Sequence, residues 1–288
     1  MNELKNRANT IFQIVVSFIF ILIALITIIP VLRVVSMSVS SKNAILSGHV
    51  TIFPVGFTPD AYVKVFKNSN FLNSFLYSIR LTLVSTAINI VMTILAAYPL
   101  SKKNIRGGKL ILVLFMLTMY FNPGIIPTYL NVKSFGLLDS PWALILPGAL
   151  SAYNMIILRT AFNSIDDSLF EAAEIDGASH FYSLLVIAIP LSVPTIATLS
   201  LFYAVGRWNG VSDILYYIND SRYYTVQMQL KQMIDSIKIS REEGRTTEIV
   251  AENVKSASIV ISMLPMLIAY PFIQRYFTQG IMLGAVKG

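Results

Sequence analysis

The stretch "EAAEIDGASHFYSLLVIAIP", residues 171–190, joins an acidic segment directly to a long apolar one. Five of the 15 acidic residues fall within residues 166–176, although the chain of 288 residues has a net charge of +7. Hydrophobic residues make up 55% of the sequence and charged residues 13%, whereas soluble domains contain about 25% charged residues. This composition predicts a membrane protein with an acidic segment outside the bilayer. The basic excess is then typical of cytoplasmic loops rather than of nucleic-acid binding.

Six apolar segments follow one another and predict an all-α membrane protein with six transmembrane helices. They cover residues 11–32, 81–100, 110–129, 142–158, 184–205 and 257–273. The first segment has no charged residue and is too long for a cleaved signal peptide, so it predicts an uncleaved first helix. Asn122, Pro123 and Gly124 interrupt the third segment, and the sixth helix is expected to begin earlier, near Glu248.

The short loops predict the orientation in the membrane. Residues 101–109 contain no acid and four basic residues, Lys102, Lys103, Arg106 and Lys109. Such a loop is typical of the cytoplasmic side. With six crossings, both termini are then cytoplasmic, and so is the loop at residues 164–182 that contains the acidic segment.

The remaining long segments, residues 33–73 and 206–256, are predicted to be external. Aromatic residues such as Phe53 and Phe57 predict a packed cap in the first of them. Asp213 and Asp220, in the second, are interpreted as surface acids. We expect one transmembrane domain over residues 1–288, with its core at roughly 75–275.

The acidic segment itself predicts a helix followed by a sharp bend. Ser164, three residues before Asp167, loosely fits a capping box and predicts a helix that begins at Ile165. Gly177 is expected to end this helix, because glycine adopts a positive φ at little cost. A second helix is expected to begin near Ser179.

Three acids of this helix, Asp167, Glu171 and Glu174, follow the spacing i, i+4 and i+7 and therefore share one face. This face predicts a contact surface for a basic partner. A solvated helix with no partner is the alternative, because runs of charge are usually solvated. Further along, Pro190 permits a kink in the fifth apolar segment.

The same stretch resembles the EAA loop of ABC importer permeases. The matching residues are Glu171, Ala172, Ala173, Gly177, Ile187 and Pro190, and Ile189 stands where the family usually has Leu. The segments "IDGAS" (175–179), "LFYAVGRWN" (201–209) and "QGIMLGAVKG" (279–288) extend the likeness to the carbohydrate-importer branch. Within it, the chain looks most similar to the lipoprotein- and oligosaccharide-linked permeases of Gram-positive bacteria.

This resemblance implies the type I ABC importer permease fold in a bacterial plasma membrane, with transport by alternating access. The loop would couple the permease to an ATPase through Asp167, Glu171, Ala172, Ala173, Glu174, Asp176 and Gly177. The tail at 279–288 is a second candidate contact with the ATPase. The implied partners are a second related permease, an ATPase dimer, an external solute-binding protein, membrane lipid and a carbohydrate. ATP and Mg would bind the ATPase subunits, and this chain would bind no cofactor.

Polar and aromatic residues within or beside the apolar segments are candidates for contact with substrate. They are Tyr120, Asn122, Ser151, Tyr153, Asn154, Trp208 and Asn209. The alternatives are that the aromatic residues mark the membrane interface and that asparagines join helices. The family often has Trp-Asn-Ser-Trp where this chain has Trp208, Asn209, Gly210 and Val211, so a second aromatic residue is missing there.

Other chemistry finds little support in the sequence. The chain has no cysteine and only two histidines, His49 and His180, which are predicted to lie on opposite sides of the membrane, so no metal site is expected. No phosphate-binding loop is present, since "RGGKL" lacks the required hydroxyl residue. Two alternatives remain open: an ABC permease for a non-sugar solute such as an amino acid or phosphate, and a membrane-embedded enzyme with Glu171 and Asp176 as acid and base.

Overall fold

The computed structural model describes residues 2–102, 105–242 and 249–285, and describes side chains at 12–102, 105–237 and 252–271. Over these residues the chain is helical and contains no strand. An isolated antiparallel bridge pairs Ser40 with Phe57. The predicted all-α class is therefore confirmed.

The described part of the chain forms long helices alternating with short ones. In chain order they are α1 (Asn2–Ser38), α2 (Lys42–Leu46), α3 (Asp60–Lys67), α4 (Ser69–Ser101), α5 (Gly108–Tyr120), α6 (Ile125–Ser134), α7 (Pro141–Ile145), α8 (Ala152–Asn163), α9 (Asp167–Ile175), α10 (His180–Ser183), α11 (Ile189–Leu191), α12 (Val193–Asn209), α13 (Ser212–Tyr217), α14 (Val226–Glu242) and α15 (Ile249–Ala285). A π-helical turn, Leu184–Ala188, joins α10 to α11.

Within the part of the chain whose side chains are described, three helical stretches are long and apolar enough to cross a membrane, namely Phe12–Ser38, Ser69–Ser101 and Glu252–Pro271. The last belongs to α15, whose described start at Ile249 confirms that the sixth helix begins before its apolar segment. The number of crossings stays a prediction, because the fourth and fifth apolar segments are each broken.

Each broken segment is a bent pair of helices. Pro141–Gly148 meets Ala152–Asn163 at 52°, and His180–Leu191 meets Val193–Asn209 at 81°. The second bend lies at Ser192, between two prolines, where the ring of Pro194 removes a backbone donor. The bend is thus sharper than the kink that Pro190 alone predicts.

The predicted interruption of the third apolar segment is confirmed. α5 ends at Tyr120 and α6 begins at Ile125. Gly124 has a φ of 84°, a conformation that favours glycine. The side-chain oxygen of Asn122 accepts a hydrogen bond from the Gly124 N–H at 2.9 Å, which satisfies a donor that the broken helix leaves free.

Helix α4 has the inverted polarity of a helix in lipid. Its apolar residues face outward, among them Leu83, Val84, Val91 and Leu95. A stripe of small polar residues is buried instead, at Ser74, Ser78, Thr82, Ser85, Asn89 and Thr93. These positions are three or four residues apart and lie on one helix face, as expected where hydroxyl and amide groups join helices inside a membrane.

The chain divides into two compact units, of which the first comprises Met1–Leu72 and Leu230–Met263. The segment after α1 is ordered by backbone bonds such as Thr58 N–H to Val39 O, 2.8 Å, and by the Ser38 and Tyr62 hydroxyls, 2.8 Å apart. The segment is thus ordered, but Phe53 and Phe57, which were expected to pack in it, are 78% and 76% exposed. Its buried residues include Ala61 and Val65 of α3 and Phe71 of α4, whereas Phe53 and Phe57 lie on an irregular loop.

The second unit comprises Asn73–Gln229 and Leu264–Gly288, and two hydrophobic clusters lie among its described side chains. One contains Leu81 of α4 with residues of α7 and α13, and the other contains Ala97 and Tyr98 of α4 with residues of α8 and α12. Leu81 and Ala97 are 16 residues apart, which is about 24 Å along a helix. The clusters therefore lie at different levels of α4.

Candidate functional site

Helix α9 is the predicted acidic helix, and it begins two residues later than the sequence indicated. Asp166 is its N-cap, and its carboxylate accepts a hydrogen bond from the Ser168 N–H at 3.0 Å. This bond lowers the pKa of Asp166. The predicted capping box at Ser164 is wrong, because the Ser164 hydroxyl donates to Ala161 O at the end of α8 instead.

The end of α9 confirms the role of Gly177 in the bend. Gly177 has a φ of 78°, and its N–H donates to Glu174 O at 3.0 Å. The next N–H, of Ala178, donates to Ala173 O at 2.9 Å. This pair of bonds is the Schellman motif, which closes a helix with glycine in the left-handed conformation. Ser179 then caps α10 by accepting from the Tyr182 N–H, as predicted.

The acids Asp167, Glu171 and Glu174 all lie within α9, so their helical spacing places them on one face. Glu171 and Glu174 are exposed. Ile175, which lies one helical turn after Glu171, is 86% exposed. The sequence analysis overlooked Ile175, although an apolar side chain four residues after an exposed acid extends the same surface.

A basic residue of the same chain already faces this helix. The ammonium group of Lys102, directly after α4, lies 3.2 Å from the ring centroid of Phe170 and 5.0 Å from that of Tyr98. Burial lowers the pKa of Lys102, while the carboxylates of Asp167 and Glu174 oppose this shift. An internal cation thus balances part of the acidic face that was expected to need an external partner.

Two more contacts join the same end of α4 to α10 and to α8. The Tyr98 hydroxyl donates to His180 O at 3.1 Å, and the Arg159 Nε–H donates to Leu100 O at 2.7 Å. We call the six residues involved the α4-end cluster: Tyr98, Leu100, Lys102, Arg159, Phe170 and His180. Through it, the end of α4 contacts α8, α9 and α10.

A cavity of about 450 Å³ lies in the same unit, beside the middle of α4. We call it the α4 cavity; its polar lining includes Ser85, Asn89, Arg207 and Asn209. Arg207 donates to Leu144 O at 2.8 Å and from its second terminal nitrogen to the Asp213 carboxylate at 3.0 Å. The interpretation of Asp213 as a surface acid is therefore wrong, because its carboxylate pairs with a guanidinium group whose side chain is only 9% exposed.

The predicted substrate residues are spread over several elements, and among them Asn209 lines the α4 cavity. Tyr120 and Tyr153 are exposed, whereas Asn154 is buried. Trp208 is buried, and its ring meets that of Phe75 edge-on at 6.0 Å.

The other two candidates make local hydrogen bonds. Asn122 makes the turn described above, and the hydroxyl of Ser151 caps α8 by accepting from the Asn154 N–H. Contact of any of the seven residues with substrate stays a prediction. The tail at 279–288 lies outside the residues whose side chains the structure describes.

Residues 82–283 match the family of binding-protein-dependent transport system inner membrane components. The chain belongs to this family. Its members are membrane components of transport systems rather than enzymes. The matched range includes both the α4-end cluster and the residues that line the α4 cavity.

Two relatives from Bacillus subtilis (strain 168) match most of the chain. Protein LplC is 43% identical over 266 residues, which cover 91% of this chain and 90% of that protein. A polygalacturonan/rhamnogalacturonan transport system permease protein, YtcP, is 38% identical over 286 residues, covering 97% and 99%. Both matches cover at least 90% of this chain and of the relative.

A solved structure has the same fold. A chain of a bacterial ABC transporter involved in import of the acidic polysaccharide alginate aligns with a TM-score of 0.86 and 33% identity. The alignment covers 94% of this chain and 98% of that one. The predicted fold of an ABC importer permease is thus confirmed at the level of chain architecture.

Proposed function

We propose that this chain is the permease subunit of an ATP-driven importer that carries a carbohydrate, and more narrowly an oligosaccharide, into the cell. Family membership supports the transport role. The relatives named for polygalacturonan, rhamnogalacturonan and alginate transport support the cargo class. The observation that carries the proposal is the α4-end cluster, which joins an exposed acidic helix to the end of a helix long enough to cross the membrane.

In this proposal α9 docks on an ATPase subunit and follows its movement. Glu171 makes the ionic contact, Ala172 and Ala173 allow close approach, and Ile175 adds apolar area. Asp167 and Glu174 lie beside Lys102 and hold α9 against the permease. The division of the acids explains how one helix face serves both an internal and an external partner.

Gly177 and Asp176 form the bend that follows α9. Because the Schellman motif fixes the direction of the chain after Gly177, movement of α9 is passed to α10 and to the bent pair that contains α12. The bundle then alternates between outward-facing and inward-facing states, a two-state change that both ATP and cargo bias.

Six crossings with both termini in the cytoplasm complete the proposal, and residues 1–288 act as one permease domain. Three long helices, two bent pairs and the short apolar helix α5 supply the six. The absence of cysteine makes this testable without background labelling. A cysteine at Arg106 should react with an impermeant maleimide only from the cytoplasmic side, and one at Asp60 only from outside. The reverse pattern would contradict the orientation.

The partners in this proposal are a second related permease, an ATPase dimer that binds ATP and Mg, an external solute-binding protein and lipid. A solved alginate ABC transporter was obtained in complex with a pentasaccharide-bound periplasmic protein, and its chain shares this fold with a TM-score of 0.57. That likeness, at 16% identity, concerns the fold alone.

Reconstitution tests the function directly. The chain is co-purified with the second permease and the ATPase, placed in vesicles, and supplied with solute-binding protein and a panel of oligosaccharides. We expect ATP hydrolysis that requires the complete assembly, and a sugar that stimulates both hydrolysis and uptake. Uptake of an amino acid or phosphate, or catalysis by the isolated chain, would overturn the proposal.

A further inference from the structure

The buried polar stripe of α4 is hydrogen-bonded on both sides of its middle. Toward one end, Ser78 accepts a hydrogen bond from the Val226 N–H at 2.8 Å. Toward the other, the hydroxyls of Thr93 and Tyr203 are 2.8 Å apart, and Thr93 also donates to Asn89 O. These parts of the stripe are therefore explained by contacts within the chain.

The middle of the stripe is different, because Asn89 lines the α4 cavity. Asn89 is only 5% exposed, yet its side-chain oxygen has no hydrogen-bond partner among the described residues. A buried acceptor without a donor costs about 1–3 kcal/mol. Native proteins keep such groups rarely, and a missing ligand or water is a common reason.

A second unpartnered polar group belongs to Arg207, which also lines the cavity. The terminal nitrogens of Arg207 donate hydrogen bonds to Asp213 and to Leu144 O. Its Nε–H is also buried but has no partner among the described residues. Asn89 thus offers an acceptor and Arg207 a donor. A hydroxyl group both donates and accepts, so it matches this pair better than a carboxylate or an ammonium group does.

The charge of the cavity also favours an uncharged, hydroxyl-bearing ligand. Its charged lining residues are Arg207 and Asp213, which pair with each other, so the formal charges cancel. The rings of Phe202 and Tyr203 also line it and supply apolar surface. A volume of about 450 Å³ falls within the usual range for small-molecule sites.

We infer that the α4 cavity binds a hydroxyl-bearing, uncharged face of the cargo, through the Asn89 side-chain oxygen and the Arg207 Nε–H. This inference rests on the proposed function, because it assigns a sugar subsite in the transport path of the importer. It further means that the subsite recognises hydroxyl groups and makes no use of a sugar carboxylate, even if the complete cargo carries one.

Asn89→Leu tests the subsite in the reconstituted assembly, with uptake of whichever neutral or uronic-acid trisaccharide the wild-type assembly transports. Leucine has a similar size but cannot accept a hydrogen bond. We expect the KM for uptake to rise about five- to tenfold, the effect of one lost hydrogen bond of roughly 1 kcal/mol or slightly more.

Thr86→Val is the matched control. The Thr86 hydroxyl also lacks a partner among the described residues, but Thr86 is not among the residues that line the cavity. We expect its KM for uptake to equal that of the wild type. An equal rise in both variants would overturn the inference, because it would show a general effect on α4.

Thermal stability separates ligand binding from a structural role. Leucine removes the cost of burying an acceptor without a hydrogen bond, so Asn89→Leu should unfold at the wild-type temperature or above it. A lower unfolding temperature, or an unchanged KM, would overturn the subsite. Absence of uptake of any sugar by the wild type would instead defeat the proposed function, and the subsite with it.

The charge of the cargo provides a second test of the subsite. Asn89→Asp keeps an acceptor but adds a negative charge. A neutral hydroxyl can still donate to aspartate, so uptake of a neutral trisaccharide should fall less than with Asn89→Leu. Where a uronic-acid trisaccharide is the cargo, the same order of the two variants is expected, because its carboxylate lies outside the subsite. For either cargo, a larger loss for Asn89→Asp than for Asn89→Leu would overturn the inference. With the uronic-acid trisaccharide, it would also show that a carboxylate occupies the cavity.

Discussion

Two regions of α4 differ in how completely their polar groups are paired. At its end, the Tyr98 hydroxyl, the Leu100 carbonyl and the Lys102 ammonium group each contact another element of the same unit. At its middle, Asn89 lines a cavity, and its side-chain oxygen has no partner among the described residues. One helix thus carries a closed set of contacts and an open one.

The difference indicates two roles, since the paired region fixes the positions of neighbouring helices and the unpaired region binds a ligand. A hydrogen-bonded network with every member satisfied fixes the positions of the elements that it joins. An open acceptor lowers stability unless something else occupies it, so its retention points to a ligand. The α4-end cluster should therefore respond to mutation through coupling, and the α4 cavity through affinity for cargo.

Charge reversal of Glu171 should have the largest effect. Glu171→Lys places a cation where we expect a basic surface of the ATPase, and such like-charge contacts cost several kcal/mol. We expect roughly a hundredfold weaker association of the ATPase with the permease pair, measured by co-purification and surface binding. Sugar uptake should be lost while the helical content measured by circular dichroism stays the same.

Asp60→Lys is the control for Glu171→Lys, because it reverses an exposed charge in a segment predicted to lie outside. It should leave ATPase association unchanged. Unchanged uptake with Glu171→Lys would contradict the assignment of α9 as the coupling helix.

Removal of the Lys102 charge should have an intermediate effect. Lys102→Met keeps an apolar side chain near Phe170 but loses the cation–π contact, worth about 0.5–2 kcal/mol. We expect the number of sugar molecules imported per ATP hydrolysed to fall about threefold or more, since α9 would move with less of the bundle. Lys102→Arg, which keeps the cation, should restore most of this ratio.

Two variants decide whether the Lys102 effect is specific. Arg106→Met removes an exposed charge from the same predicted loop and should leave the transport-to-hydrolysis ratio unchanged. Phe170→Leu should resemble Lys102→Met, and the double variant should be no worse than either single one. Additive losses would show that Lys102 and Phe170 act separately.

Gly177→Ala tests the bend after α9 without removing any side-chain contact. No atom lies within 4 Å of the added Cβ, so the cost is the positive φ alone, about 1–2 kcal/mol of unfolding free energy. We expect a lower unfolding temperature and reduced uptake, with a smaller loss for Gly177→Asn. Gly108→Ala, at a position without positive φ, should be neutral or stabilising, and an equal loss there would contradict the explanation.

Asp139, away from both regions, gives the smallest effect and the reference for a purely structural polar group. Backbone N–H groups of Asn219 and Asp220, followed by the Asn219 side chain, lower the pKa of its carboxyl group. A lowered pKa means that the stabilisation is complete above the ordinary value of about 4 and is lost as the pH falls toward the folded-state value.

Acid unfolding curves of Asp139→Asn should therefore be flatter than those of the wild type below about pH 4. Asn219→Ala keeps both backbone bonds and should change the curve less. Sugar KM should not change in either variant, in contrast to the variants of the α4 cavity. Curves identical to the wild type in Asp139→Asn would exclude the stabilising role of these bonds.

Local signals in the sequence predicted the local features well. Pro123 and Gly124 marked the break between α5 and α6, and Gly177 marked the end of α9, because these residues restrict or free the backbone itself. The start of α9 was predicted wrongly at Ser164, since Asp166 competes for the same role and caps the helix instead.

Contacts between distant parts of the chain were not predictable in this way. The approach of Lys102 to Phe170 joins residues 68 positions apart, and the pairing of Arg207 with Asp213 depends on a helix end that the apolar pattern does not show. Nor does the sequence show that the ring of Trp208 meets that of Phe75 edge-on. Hydrophobicity gives the span of a helix but not which of its faces meets another helix.

Helix α4 runs without interruption from Ser69 to Ser101, so Asn89 and the end of the helix belong to one continuous rod. They are about 20 Å apart along the axis. If the cargo and the ATPase both bind more tightly to the same position of α4, one coupling free energy acts on both binding reactions. Cargo in the α4 cavity then raises the affinity of the permease for its ATPase by a certain factor. The ATPase raises the affinity of the cavity for cargo by the same factor.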